Sequence, residues 1–180
     1  LIDPYDVEII SGFDSDMTIS GSPTTYTPTG NASKIGIANL VANLQSGSVT
    51  IVTTGAGAEN GDITVSTAIN LDGTNGNILQ FTADGSIYIN ADIKDQATGS
   101  SDLTSLGFTA GGNISIADGI EVNSGGGSIS MGAGGTISLS NLYSEGGSMF
   151  LTAVAIADAG DTGTGYDINA GGGLVSFNVV

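Results

Sequence analysis

Leu79-Gln80-Phe81-Thr82-Ala83-Asp84-Gly85-Ser86-Ile87-Tyr88-Ile89 aligns without gaps on Leu106-Gly107-Phe108-Thr109-Ala110-Gly111-Gly112-Asn113-Ile114-Ser115-Ile116. A third copy, Ile129-Ser130-Met131-Gly132-Ala133-Gly134-Gly135-Thr136-Ile137-Ser138-Leu139, keeps the same register, with a central Ala and a Gly two residues before the second apolar pair. An internal period decides architecture before any single strand is assigned, because repeats that cannot bury a face alone must stack on one another. Ile63-Thr64-Val65 adds a fourth copy of the second half, and Ile63, Ile87, Ile114 and Ile137 follow one another at 24, 27 and 23 residues. The strands keep their pattern while the connections absorb the differences in length.

Within each copy apolar and polar or small residues alternate, the period of a strand with one buried and one solvated face. The expected fold is therefore all-β, a right-handed parallel β-helix of about 24 residues per coil, with three short strands in each coil. Stacking predicts four interior columns. Leu79, Leu106 and Ile129 form the first, continued by Met149 and Val175, and Phe81, Phe108 and Met131 form the second, continued by Leu151 and Phe177. Ile63, Ile87, Ile114 and Ile137 make the third, and Val65, Ile89, Ile116 and Leu139 the fourth. Gly85, Gly112 and Gly135 recur at the corner between two strands, where a positive φ or the close approach of a neighbouring coil excludes a side chain. An antiparallel sandwich also has short alternating strands, but it gives no reason for the offset between apolar pairs, or for the corner Gly, to recur.

Residues 1–48 show no clear repeat and hold all three prolines, so they read as transitional, irregular coils. Ile35 to Leu44 fits either a short helix or an irregular coil. From Val49 to residue 180 the sequence reads as regular coils, with loop insertions at about 94–101 and 157–173. Irregular loops on a regular solenoid are where binding tends to concentrate.

Two lysines, Lys34 and Lys94, stand against 18 acidic residues, for a formal net charge of −16. Such a surface repels phosphate backbones and anionic headgroups, so neither nucleic-acid binding nor membrane insertion is expected. The acidity keeps the chain soluble and discourages lateral aggregation. A calcium role for the acidic loop 157–173 has little support, because the G-G-x-G-x-D nonapeptide is not matched. The absence of Cys excludes disulfides and thiolate metal sites. The chain opens at Leu1 with no initiator Met and no apolar run of signal or membrane-spanning kind, and is expected to be a piece of a longer exported polypeptide.

Catalysis has few candidates. With no Arg and no His, a lyase lacks its cationic base and charge-neutralising groups, and a Ser nucleophile lacks its usual partner. Asp14/Asp16 and Asp158/Asp161 imitate the paired carboxylates of a glycosidase, but both pairs lie in loop-like sequence without a recurring aromatic platform. No catalytic, cofactor or metal residue is expected. A carbohydrate-active β-helix enzyme remains an alternative of a different class, as does a filament or matrix subunit that polymerises by stacking exposed coil ends.

The opening Leu1-Ile2-Asp3-Pro4-Tyr5-Asp6-Val7-Glu8-Ile9 resembles the segment that follows the secretion domain in filamentous-haemagglutinin-like exoproteins of two-partner secretion systems. Leu40 to Val65, with Gly47-Ser48-Val49-Thr50-Ile51 and Asn60-Gly61-Asp62-Ile63-Thr64-Val65, resembles the coils that come next in that family, and the later Gly-x-Ile-x-Ile repeats resemble its shaft. The resemblance implies an adhesin at the surface of a Gram-negative-type bacterium, active in adhesion, aggregation or biofilm. It also implies export through an outer-membrane transporter, recognised by a region outside this fragment, and a glycan or protein receptor on a host cell, a neighbouring cell or the matrix.

Overall fold

The computed structural model describes residues 4–54, 57–74, 76–94, 102–159 and 168–180. They form a β-solenoid of about 6 turns with about 26 residues per turn. The turn is longer than the commonest repeat spacing because the connections between Asn70 and Ile78, and between Lys94 and Ser105, are long.

Three sheets make the walls, and from Ile63 to Asn169 successive coils give one strand to each. The widest has eight strands in the order Met17–Ser20, Thr24–Pro28, Val49–Val52, Ile78–Ala83, Ser105–Ala110, Ile129–Ala133, Met149–Ala153 and Val175–Val179. All neighbours are parallel except the first pair. A second sheet of seven parallel strands is built around Ile63–Val65, Ile87–Ile89, Ile114–Ile116 and Thr136–Leu139, and a third of five runs from Ile69–Asn70 to Ile168–Asn169.

The interior is a set of columns in register. Leu79 pairs with Leu106, Leu106 with Ile129, Ile129 with Met149 and Met149 with Val175. Phe81, Phe108, Met131, Leu151 and Phe177 follow in the same way, and the Phe81 and Phe108 rings stack at 5.0 Å with an interplanar angle of 4°. Ile63, Ile87, Ile114 and Ile137 form another ladder, and Val65, Ile89 and Ile116 the next. Leu139 is buried two residues beyond Ile137. Phe177 keeps its register with Leu151 but is half exposed, because Val175–Val179 is the edge strand of its sheet.

The segment 1–48 contributes strands to the same walls. Val7–Ile10 lies between Ser33–Gly36 and Ile63–Val65, so Val7 and Ile9 extend the Ile63 and Val65 columns, which end on Ser33 and Ile35. The 35–44 stretch resolves as a helix, Ile37–Ser46, which seats Leu40 and Leu44 on the core. Asp14 caps it from a distant loop, accepting from the Gly36 N–H at 2.7 Å and from Asn39 Nδ2 at 2.9 Å. A carboxylate there satisfies an otherwise unpaired donor and sits at the positive end of the helix dipole.

Both corners of the coil depend on backbone contact between turns. Gly85, Gly112 and Gly135 are not in the positive-φ region; their reason is close approach. A Cβ at Gly85 would overlap Asp62 Oδ1, one at Gly112 the Ser86 hydroxyl, and one at Gly135 Asn113 Oδ1. Those side-chain atoms form a ladder. Asp6 Oδ1 accepts from the Asp62 N–H, Asp62 Oδ1 from Ser86, Ser86 Oγ from Asn113, and Asn113 Oδ1 from Thr136, at 2.6–3.0 Å. At another corner a Cβ on Gly127, Gly147 or Gly173 would overlap the carbonyl of the preceding coil. There Ser124 and Ser144 turn their hydroxyls inward onto the Gly127 and Gly147 carbonyls, and Thr74 bonds Thr104. Among the described residues no buried side-chain nitrogen or oxygen lacks a partner.

Two substitutions test this packing. Phe108→Asp buries an unpaired charge between Phe81 and Met131 and is expected to abolish cooperative unfolding, whereas the outward Ser115→Asp shifts stability by less than about 0.5 kcal/mol. Gly147→Ala is expected to cost about 1–3 kcal/mol in urea denaturation through overpacking. Equal tolerance of Phe108→Asp and Ser115→Asp would refute the assignment of inward and outward faces.

Candidate functional surface

A shallow cleft of about 230 Å³ is lined by Asp6, Val7, Glu8, Ala32, Glu59 and Thr64. Its carboxylates serve the backbone. Asp6 Oδ1 accepts from the Gly61 and Asp62 N–H groups, and the Glu59 carboxylate accepts from Asp6 N and Ala32 N, clasping three chain segments together. Glu8 accepts from Lys34 Nζ at 2.8 Å and from Ser66 Oγ at 2.7 Å. The Lys34 and Ser66 hydrogen bonds hold its carboxyl below the usual range.

The second lysine is also bound. Lys94 Nζ lies 2.8 Å from Asp92 Oδ2 and 3.3 Å from Glu121 Oε2, which raises its pKa above the ordinary lysine value, the Asp92 hydrogen bond being the larger cause. Burial pushes Asp92 upward, but the Lys94 ammonium and the Glu121 N–H outweigh it and keep the carboxyl low. The Lys34–Glu8 and Lys94–Glu121 pairs join neighbouring strands, whereas Asp92 and Lys94 lie in the same coil.

Of the sequence-derived carboxylate pairs, Asp14/Asp16 is not part of this cleft. Asp14 is the helix cap described above, Asp16 offers its backbone carbonyl to Thr29 N and to the Ser33 hydroxyl, and neither lines the cleft. Asp158 ends the strand Ala155–Asp158, while Asp161 lies outside the described residues, as do residues 95–101 of the first loop and 160–167 of the second. Among the described residues no group of three or more His, Cys, Asp or Glu is placed to hold a metal ion.

Charge is distributed unevenly over the walls. The seven-stranded sheet carries Glu8, Lys34 and Asp158, and the five-stranded sheet carries Lys94 and Glu121. Asp62, Asp84, Asp72 and Asp102 stand between strands. None of the eight strands of the widest sheet contains a charged residue. Its outward positions are chiefly Ser, Thr, Gln and Asn, with a few apolar side chains such as Ile78 and Phe150. This segregation is visible in the repeat itself, where the outward positions of Leu-x-Phe-Thr-Ala carry no Asp or Glu.

Set against known family models, curated proteins and solved structures, the chain matches none.

The ion pairs predict opposite pH limbs. The depressed Glu8 carboxyl contributes stability above its unfolded pKa, lost as pH falls through its lower folded value; the raised Lys94 contributes below its unfolded pKa, lost as pH rises through its higher folded value. Thermal unfolding of Glu8→Gln is therefore expected to have a shallower acid limb than the parent, and Lys94→Met a shallower alkaline limb. Profiles that superimpose on the parent in both limbs would show that these pairs do not contribute.

Proposed function

We propose that the chain is a non-enzymatic structural and adhesive segment of a large secreted bacterial surface exoprotein of the filamentous-haemagglutinin type, exported by a two-partner system. The observation that carries the reading is the unbroken stack. The core columns continue from the first coils to Val175–Val179, and the described carboxylates of the cleft are occupied in joining coils to one another. A rod of this kind projects a surface away from its anchor. Contact is then made by side walls and loops, with a glycan or protein on a host cell, a neighbouring cell or the matrix as receptor.

One observation favours a second reading, a filament or matrix subunit. Among the described residues the Val175–Val179 strand has no neighbour on its outer side and Leu174, Phe177 and Val179 are exposed, an edge on which a further coil, of the same polypeptide or of a second copy, can stack. The opposite end is covered by the Met17–Ser20 and Thr24–Pro28 hairpin and by the helix.

Beads coated with the folded chain are expected to adhere to bacterial or epithelial cells, and beads coated with Phe108→Asp are not. Adhesion equal to the Phe108→Asp control would contradict the adhesive role. Turnover of neutral or acidic polysaccharides, abolished by a carboxylate substitution, would replace it with an enzymatic one, and uniform fibres one coil-stack wide in electron micrographs would favour the filament.

A further inference from the structure

We propose that the outer face of the eight-stranded sheet is a binding surface for an uncharged polysaccharide, with its centre at Gly132. The inference rests on the adhesive reading above and names its partner class. The first observation is charge. A chain of net charge −16 that needed only solubility would spread its carboxylates over all walls, yet this wall, the widest, has none in any strand.

The second observation is Gly132 itself. Glycine in a strand interior weakens the strand and calls for a local reason. At the other strand glycines, Gly36 and Gly107, a Cβ would overlap the Gly12 carbonyl or Gln80 Oε1, but a Cβ at Gly132 would meet nothing within 4 Å, and its φ is not positive. Packing does not demand the missing side chain, whereas a ligand lying against the backbone does. Thr109 and Thr152 flank Gly132 on adjacent strands, and Ser130 precedes it on the same outer face beside the exposed Phe150. Gln80 adds to the flatness: it lies over Gly107, donating from Nε2 to the Phe81 carbonyl, so it does not project. The floor is thus shallow, hydroxyl-lined and bordered by one aromatic ring, which suits sugar hydroxyls and the apolar face of a sugar ring.

Other occupants fit less well. A peptide strand gains its affinity from a free sheet edge, and this is a face whose backbone bonds are already made. From Val49–Val52 to Val175–Val179 the face spans roughly 24 Å by 14 Å, on the order of 350 Å². A second copy packed there falls well short of the ~800 Å² per partner of a standard stable interface.

Affinity electrophoresis of the whole chain in gels containing hydroxyethylcellulose, laminarin, yeast mannan or guar galactomannan tests the proposal, with alginate as the charged comparison. Retardation by at least one uncharged polymer, equal at low and high salt, is expected. Gly132→Val, which adds a strand-favouring side chain in open space, is expected to keep or raise the melting temperature while weakening retention at least about tenfold. Thr109→Glu should do the same to binding, and Ser138→Glu on the seven-stranded sheet should leave it unchanged. No retardation in any of the four uncharged gels overturns the proposal, as does unaltered binding by Gly132→Val, salt-sensitive binding, or sedimentation showing a dimer lost on Thr109→Glu. If coated beads adhere to cells while no uncharged polymer is bound, the adhesive reading stands and this site falls; if the polymer is bound without cell adhesion, the reverse holds.

Discussion

Every feature of this protein depends on consecutive turns of backbone lying one hydrogen-bonded rung apart, about 4.8 Å, with equivalent residues directly over one another. At that separation a side chain on any wall meets the same chemistry above and below. An apolar residue in the interior requires an apolar neighbour, which is why Leu79, Leu106, Ile129 and Met149 succeed one another, and why Phe81 can stack on Phe108 with nearly parallel rings. At the corner of Gly127, Gly147 and Gly173 the same closeness excludes a side chain, since the carbonyl of one turn occupies the space where the next would place a Cβ.

The rung spacing also sets how polar groups are used. A corner residue with a short acceptor side chain reaches the N–H one turn on, so Asp6, Asp62, Ser86 and Asn113 carry a hydrogen-bond ladder along the outside of the rod. The clefts and charged clusters are made from these structural devices, Glu59 and Asp14 joining chain segments that are distant in sequence. What distinguishes the walls from one another is their charge, and the widest wall has none in its strands.

The solenoid was legible because its signal is repetition: an alternating apolar pair at a constant offset reports both the strand and the stacking partner. The corner glycines were legible as positions, although whether they served φ or close approach required the neighbouring coil. Less of the N-terminal part could be read. Val7–Ile10 is a single pair of apolar residues with no preceding copy to align it, and its place beside Ile63–Val65 depends on a connection of more than fifty residues. The helix Ile37–Ser46 is capped by Asp14, which no local pattern announces. The Ser124 and Ser144 turns carried a signal in Ser-x-Gly-Gly that is masked by the abundance of Ser and Gly. The candidate surface was hardest to find, because it is defined by the residues missing from it: no charge on one wall, and no side chain at Gly132.

The stacking itself is open to a direct distance measurement. Val52 and Asn178 point outward from the same column of the widest sheet, five rungs apart, and the chain has no native cysteine to interfere. Spin labels at Val52→Cys and Asn178→Cys should give a single narrow distance centred near ~24 Å plus the reach of the labels. A broad distribution, or a centre well beyond that range, would mean that the coils do not lie in register one upon another.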